Sequence, residues 1–529
     1  MSRNLIEDGK TILGIEFGST RIKAVLIDDH FHVIASGSHD WENDYVNGIW
    51  TYSQNAIITG LQHCYAELKK DVDLKYHVTL RKIGAIGISA MMHGYLPFDQ
   101  DMNLLVPFRT WRNTTTGPAA DKLTEIFSFN MPQRWSLSHL YQAILNNEPH
   151  VNQIHFFTTL AGWVHYLLTG KKVLGVGDAS GMMPVDSTSC DYRSDLIDLF
   201  DHLIESKGYP WKLRQILPSV LSAGDNAGIL LPEGAALLDP DGDLEPGCPL
   251  CPPEGDAGTG MTATNSIREK TGNVSAGTSI FSMIVLEKPM KNVYPEIDIV
   301  TTPAGKPVGM VHCNSCSSDI NAWISLFQEF AEIMGYKTDT SEVYSKLFKK
   351  AMEGEKDCGG LVSFNYFAGE PVTGLSEGRP MLIRTPDCHM NMANFMRAQI
   401  FASMETLKVG MEIMNKEHVS IDRVYGHGGL FKTEGVAQNL LAAAIHAPVT
   451  VMETAGEGGA WGIALLVDYM IHRHPAESLE DYLENYVFAG MKKTTVSPDP
   501  EDEAGFDLYM DRFIRCIPAQ KAAVEGLKA

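Results

Sequence analysis

Two short stretches far apart in the chain share one pattern, and that repeat limits the possible folds more than any other feature. Residues 12–28 read ILGIEFGSTRIKAVLID and residues 272–287 read GNVSAGTSIFSMIVLE. In each, an apolar run enters a turn of glycine and two hydroxyl residues, Gly18-Ser19-Thr20 or Gly277-Thr278-Ser279. A second apolar run leaves the turn and ends on an acid, Asp28 or Glu287. Apolar runs flanking a glycine turn predict a β-hairpin. Glycine lets an anion approach the backbone because it has no Cβ, and hydroxyls add hydrogen bonds, so either turn can hold a phosphate. The repeat predicts duplicated α/β domains facing one another across a cleft, each contributing one such hairpin. Two unrelated hairpins of similar turn composition would look the same from these residues alone, so the rest of the chain has to decide.

At 529 residues the chain exceeds what one hydrophobic core organises, and two domains are expected. Its 43 Lys and Arg against 65 Asp and Glu give a formal charge of -22, which argues against nucleic acid or an anionic membrane as the main partner. A small anionic ligand must then find local basic or backbone donors. The opening MSRNLIEDGK lacks an apolar segment and no later run has the length to cross a bilayer, so a cytoplasmic protein is expected. Nine cysteines, an odd number spread over this length, suit a reducing compartment. The pairs Cys248/Cys251 and Cys313/Cys316 have zinc-ligand spacing internally, but they lie much farther apart than the ~15–20 residues of a zinc ribbon. They read as reduced thiols near a domain junction and on a core strand.

After the first hairpin the pattern predicts a third strand at 32–36, a helix over about 52–70 and a buried strand at 83–89. Three meander strands, a helix and a further strand suit a ribonuclease-H-like or actin-like half-domain, a mixed sheet with helices on both faces. That strand runs into Met92-His93-Gly94, and Trp111-Arg112-Asn113 follow after one more strand. Sites in such sheets gather at strand ends, which makes these residues candidates for holding a polar ligand. Asp256, between Gly255 and Ala257 ahead of the second hairpin, is a candidate base. Near the C-terminus, Gly426-His427-Gly428-Gly429, a helix from 439 to 447, a strand at 449–452 and the glycine-opened segment 457–462 together predict a nucleotide-sized pocket.

The order of these segments resembles that of the FGGY carbohydrate kinases, and of the pentulose kinases among them. GIEFGSTRIKAVLID is similar to the family's first phosphate motif, MMHG and TWRN to its sugar-binding segments, Gly177-Asp178-Ala179-Ser180-Gly181 to its TDAS-type segment, and NVSAGTS to its second phosphate motif. Residues 364–380 are similar to a family loop, with altered wording. The resemblance implies two actin-like ATPase domains, an N-terminal one over 1–250 and a C-terminal one over 251–529. It implies ATP and Mg²⁺, with Asp256 as catalytic base and as a contact of the substrate hydroxyl. Met92, His93, Trp111, Arg112 and Asn113 would bind the sugar; Gly18, Ser19, Thr20, Lys23, Gly277, Thr278, Ser279, Gly428, Gly429 and Lys432 would bind the nucleotide. Glu16 stands where the family usually has Asp; by strand alternation it points away from the face of Ile15 and Phe17, and it would reach the metal through water. The expected reaction is phosphorylation of a ketose, D-xylulose or L-ribulose first. Other ketoses and polyols, or a non-catalytic sugar or nucleotide sensor, are the alternatives, and a homodimer is left open.

Overall fold

The computed structural model describes residues 2–453 and 458–528, so Glu457 lies outside the described residues. By its internal contacts the chain divides into two units. The first comprises Met1–Ile267, Asp298–Val308 and Glu457–Gly490, and the second Arg268–Ile297, Gly309–Gly456 and Met491–Ala529.

In the first unit the predicted hairpin pairs Ile12–Phe17 antiparallel with Arg21–Ile27, from Ile12↔Ile27 to Phe17↔Ile22. Val33–Asp40 adds to the outer side of the second strand, while Ala85–Ala90 runs parallel to the first, with Glu16 opposite Ser89. Glu254–Gly255 completes the five-stranded sheet by pairing parallel with Ser89–Ala90. Two helices sandwich this sheet, and glycines show where they approach. A Cβ on Gly37, the partner of Ala24, would lie 2.2 Å from the Cys64 carbonyl of helix Gln54–Tyr76. One on Gly14, the partner of Val25, would lie 2.1 Å from the Ala460 carbonyl of helix Gly458–His472. Residues 24 and 25 face opposite sides of the sheet, so the helices do too.

The second unit repeats the plan. Thr271–Ala276 pairs antiparallel with Ile280–Val285, Arg423–His427 runs parallel to Thr271–Ala276, and Val449–Met452 runs parallel to Arg423–His427. Pro307–Cys313, most of which belongs to this unit, adds beside Ile280–Val285. Lys493–Val496 extends the other edge antiparallel. The five shared strands have the same order in both sheets, which is the signature of a duplication.

Several sequence expectations shift in their bounds. The third strand runs to Asp40, and the long helix starts at Gln54, where the Ser53 hydroxyl accepts the Ala56 N–H at 3.1 Å as an N-cap. It ends at Tyr76 because His77 adopts a left-handed conformation. The contact division also departs from a single cut at residue 250. Residues 251–267 group with the first unit because Glu254–Gly255 is a strand of its sheet, and they bring Asp256 with them.

Candidate active site

Three adjacent parallel strands of the first unit, Ile12–Phe17, Ala85–Ala90 and Glu254–Gly255, deliver Glu16, Met92 and Asp256 to one end of the sheet. Asp256 opens a helix, Asp256–Ala263, and its Oδ1 accepts the Met92 N–H at 3.1 Å. Burial raises its pKa, opposed by the hydrogen bonds from the Met92, Ala257 and Asp256 N–H groups. Glu16 points, as alternation requires, to the face carrying helix Gly458–His472, and the N–H groups of Ala460 and Gly459 donate to its carboxylate. A Cβ on Gly459 would lie 2.2 Å from Glu16 Oε1, and one on Gly462 2.0 Å from the Thr259 carbonyl. Gly459 and Gly462 thus seat this helix against Glu16 and Thr259 within the first unit. Burial first, then the neighbouring Asp256 charge, pushes Glu16 up to about 7.

Beneath this pair lies a set of acids missing from the expected site residues. Glu254, 2% exposed, accepts the N–H groups of Gly177 at 3.2 Å and Asp178 at 2.9 Å. Asp178, fully buried, accepts the Thr159 hydroxyl at 2.6 Å through Oδ2, while its Oδ1 has no hydrogen-bond partner among the described residues. Burial lifts Asp178 to about 7 and Glu254 to about 8, and their charges raise each other's neighbours: Asp256 acts on Asp178 and Asp178 on Glu254. Asp178 lay in the TDAS-type segment noted above, and Glu254 was signalled only by its place two residues before Asp256.

The sugar-side candidates divide in two. His93 is buried, with a left-handed backbone (φ 70°); its Nδ1 lies 3.1 Å from the Gly181 carbonyl, and its ring stacks near Trp135 with centroids 6.1 Å apart. A carbonyl only accepts, so Nδ1 carries the proton and donates. Burial, then the Arg134 charge, lowers its pKa to about 3, so the ring is neutral at physiological pH and Nε2 is an acceptor. Arg134 is itself paired with Asp298, which also accepts from Asn130 Nδ2 at 3.1 Å. Trp111 Nε1 donates to Ser19 Oγ at 3.2 Å, which ties one sugar-side candidate to the first glycine turn, and the Arg112 guanidinium lies 4.1 Å from the Trp50 ring centre. Asn113 differs from the rest. Its Nδ2 donates to the Trp50 and Thr110 carbonyls at 2.8 and 2.9 Å and its Oδ1 accepts the Trp50 N–H at 2.9 Å. With both donors spent on backbone, Asn113 holds the loop that presents Arg112 and has no donor to offer a sugar.

The two glycine turns are built alike. At the first, the Gly18 carbonyl accepts Trp41 Nε1 at 2.8 Å, the Ser19 carbonyl the Tyr52 hydroxyl at 2.5 Å and the Thr20 carbonyl the Trp41 N–H at 3.1 Å. At the second, the Gly277 carbonyl accepts from Ser317 N and Oγ at 3.1 and 2.6 Å, and the Thr278 carbonyl from Cys316 N at 2.9 Å. Each turn has its acceptors taken up by protein, which suits a turn meant for an anion. Lys23 sits opposite Glu16 in the first hairpin, and its charge lowers the Glu16 pKa. In the second unit a Cβ on Gly428 (φ +103°) would lie 2.4 Å from the Ala276 carbonyl, whereas one on Gly429 meets nothing within 4 Å. Gly428 is required by backbone packing, and Gly429 is the one that faces open space. Exposed Lys432 closes the short turn Gly429–Lys432. Among the described residues no cluster of three or more His, Cys, Asp or Glu could hold a metal unaided.

A duplicated sheet carrying a glycine hairpin in each copy, with acids gathered at the strand ends of one, defines a two-domain actin-like ATPase fold of the sugar-kinase class. Comparison with known proteins agrees: residues 11–241 match the N-terminal domain and residues 272–470 the C-terminal domain of the FGGY family of carbohydrate kinases. The chain belongs to that family and is a phosphotransferase. It is 24% identical over 469 residues to a xylulose kinase of Haemophilus influenzae, an alignment covering 85% of this chain and 89% of the relative. Ligand-bound xylulose kinase from Lactobacillus acidophilus has the same fold, with a TM-score of 0.77 at 16% identity over 98% of this chain and 100% of the other. Gluconate kinase from the same organism also reaches a TM-score of 0.77 at 16% identity, covering 98% of this chain and 99% of its own. No helix among the described residues is long and apolar enough to cross a membrane.

Proposed function

We propose that this chain transfers the γ-phosphoryl group of ATP to a hydroxyl of a ketose, with D-xylulose or L-ribulose as the leading substrates. The observation that carries the proposal is the position of Asp256, held by the Met92 N–H beside Glu16 where three strands end. Asp256 accepts the proton of the attacking hydroxyl, and the burial that raises its pKa makes it a better base near neutral pH. His93 accepts a sugar hydroxyl proton at Nε2; Met92 and Trp111 supply apolar walls, and Arg112 a donor. Asn113 positions that loop.

The turns Gly18-Ser19-Thr20 and Gly277-Thr278-Ser279 hold phosphate oxygens, with Lys23 on the first hairpin, and Gly429 and Lys432 line the nucleotide. Phosphoryl transfer depends mainly on positioning and on neutralising charge, so these groups have more to do than any covalent step. Glu16 and Asp256, two neighbouring acids that raise one another's cost of ionisation, fit a hydrated divalent cation, held by Glu16 through water. Mg²⁺ bound there supplies charge neutralisation for the phosphates.

One feature favours an uncharged sugar: Arg134 is already neutralised by Asp298. The test is ADP release with ATP and Mg²⁺ across a panel of ketopentoses, deoxyketohexoses, sedoheptulose, glycerol and gluconate. The expected result is sugar-dependent turnover that is fastest with a ketopentose. Fastest turnover on another ketose or polyol would move the assignment within the family, and binding of sugar and ATP without turnover would make the chain a sensor.

A further inference from the structure

The two glycine turns are held from behind by different means. At Gly18-Ser19-Thr20 the donors are mainly side chains, the Trp41 indole and the Tyr52 hydroxyl. At Gly277-Thr278-Ser279 they come from one bend of the chain: Cys316 N reaches the Thr278 carbonyl at 2.9 Å, and Ser317 N and Oγ reach the Gly277 carbonyl at 3.1 and 2.6 Å. Residues 314–317 join strand Pro307–Cys313 to helix Ser318–Ile333, so the second turn is placed only as well as this bend is. A bend keeps one shape when its buried backbone groups are all paired.

We propose that Glu370 is the positioning residue that fixes this bend and, through it, the second phosphate turn, so that it governs ATP binding without touching ATP. Its carboxylate accepts two successive N–H groups, Asn314 at 3.0 Å through Oε2 and Ser315 at 2.7 Å through Oε1. Two bonds on one planar group fix direction as well as distance. Glu370 and Cys316 are both fully buried, so water cannot replace a lost acceptor there. The neighbours of Glu370 hold the same bend. Asn314 Nδ2 donates to the Gly369 carbonyl at 2.7 Å, and Asn365 Nδ2 donates to the Cys316 carbonyl at 2.9 Å.

The segment around Glu370 is itself anchored. The Glu370 carbonyl accepts the Thr373 and Leu375 N–H groups at 3.0 and 3.1 Å, which closes a tight turn. The Tyr366 hydroxyl accepts from Thr406 Oγ1 of helix Met392–Lys416 at 3.0 Å. Hydrogen bonds thus run from a buried helix to the segment carrying Glu370, from Glu370 to the bend, and from the bend to the two carbonyls of the turn. With those carbonyls drawn inward, Thr278 is left exposed at the tip. This gives the segment 364–380 a task within the second unit.

The inference rests on the reading that Gly277-Thr278-Ser279 holds phosphate oxygens, and calorimetric titration of the full chain with ATP, adenosine and the best ketose separates the two. Glu370→Gln presents one carbonyl oxygen to two N–H groups, and should weaken ATP roughly 10-fold while adenosine and the ketose bind as to wild type. A general loosening of the second unit would weaken adenosine as well. Should Glu370→Gln fold poorly, Ser317→Ala removes only the hydroxyl bond to the Gly277 carbonyl, and should weaken ATP about 3-fold with adenosine unchanged. The two losses should not add in the double variant, because both act through the same turn. Gly277→Asp, whose Cβ meets nothing within 4 Å, sets a like charge at the turn and tests the phosphate reading by itself. Unchanged ATP affinity in Gly277→Asp would overturn that reading and the inference with it. ATP weakened in Gly277→Asp but not in Glu370→Gln or Ser317→Ala would overturn the role of Glu370 alone, as would adenosine weakened along with ATP in both of those variants.

Discussion

Asp178, Glu254 and Glu16 set the pH behaviour of the first unit, because all three are acids whose pKa the fold raises. The folded chain holds protons to about 7, 8 and 7 at these residues, while the unfolded chain releases them near its ordinary carboxylate values of 3.8 and 4.5. Stability from these protons is therefore complete below the unfolded values, declines progressively as pH rises from them, and is fully lost once pH has passed the folded values of about 7 to 8. The melting temperature should fall from about pH 4 to 8 and level off above. Asp178→Asn, which keeps the hydrogen bond from Thr159 available and removes one such charge, should make the decline shallower; a decline as steep as wild type would contradict the assignment. Glu16 shows what a sequence reading can reach at this scale. Alternation along Ile12–Phe17 gave the direction of its side chain, but nothing local could show that the N–H groups of Gly459 and Ala460, over four hundred positions away, receive it.

Among the elements, the two hairpins were legible because glycine turns between apolar runs are a local signal, and both strand pairs form around the expected turns at Gly18 and Gly277. Glu254–Gly255 was not legible: two residues carry no periodicity, and they become a strand only because Ala85–Ala90 presents a free edge to them. The glycines near the C-terminus show the same limit. Sequence marks Gly428-Gly429 as a pair, whereas packing gives them separate tasks. Gly428→Ala should destabilise the second unit by ~1–3 kcal/mol, since its positive φ and the Ala276 carbonyl both oppose a side chain. Gly429→Val should leave the melt unchanged and weaken ATP binding, with the sugar's dissociation constant unaffected. Calorimetric titration of both ligands separates the two, and equal loss of ATP affinity in the two variants with unchanged melts would contradict the division of roles. Asn113 belongs to the same lesson, a polar residue in a family-like motif whose hydrogen bonds are used up by Trp50 and Thr110.

The whole molecule is a duplication in which the copies have diverged at their strand ends. The first unit gathers Glu16, Asp178, Glu254 and Asp256, while the second keeps the hairpin and the glycine pair. The proposal places the chemistry on the first unit. Its central claim is that Asp256 takes the proton from the sugar hydroxyl. The most direct measurement is kcat for Asp256→Asn on the best ketose, with ATP and sugar affinities measured alongside. The account predicts a loss of ~10²- to 10⁴-fold in kcat with both ligands still bound, as removal of a general base produces. Turnover within a few fold of wild type, by a variant that binds both ligands, would contradict it.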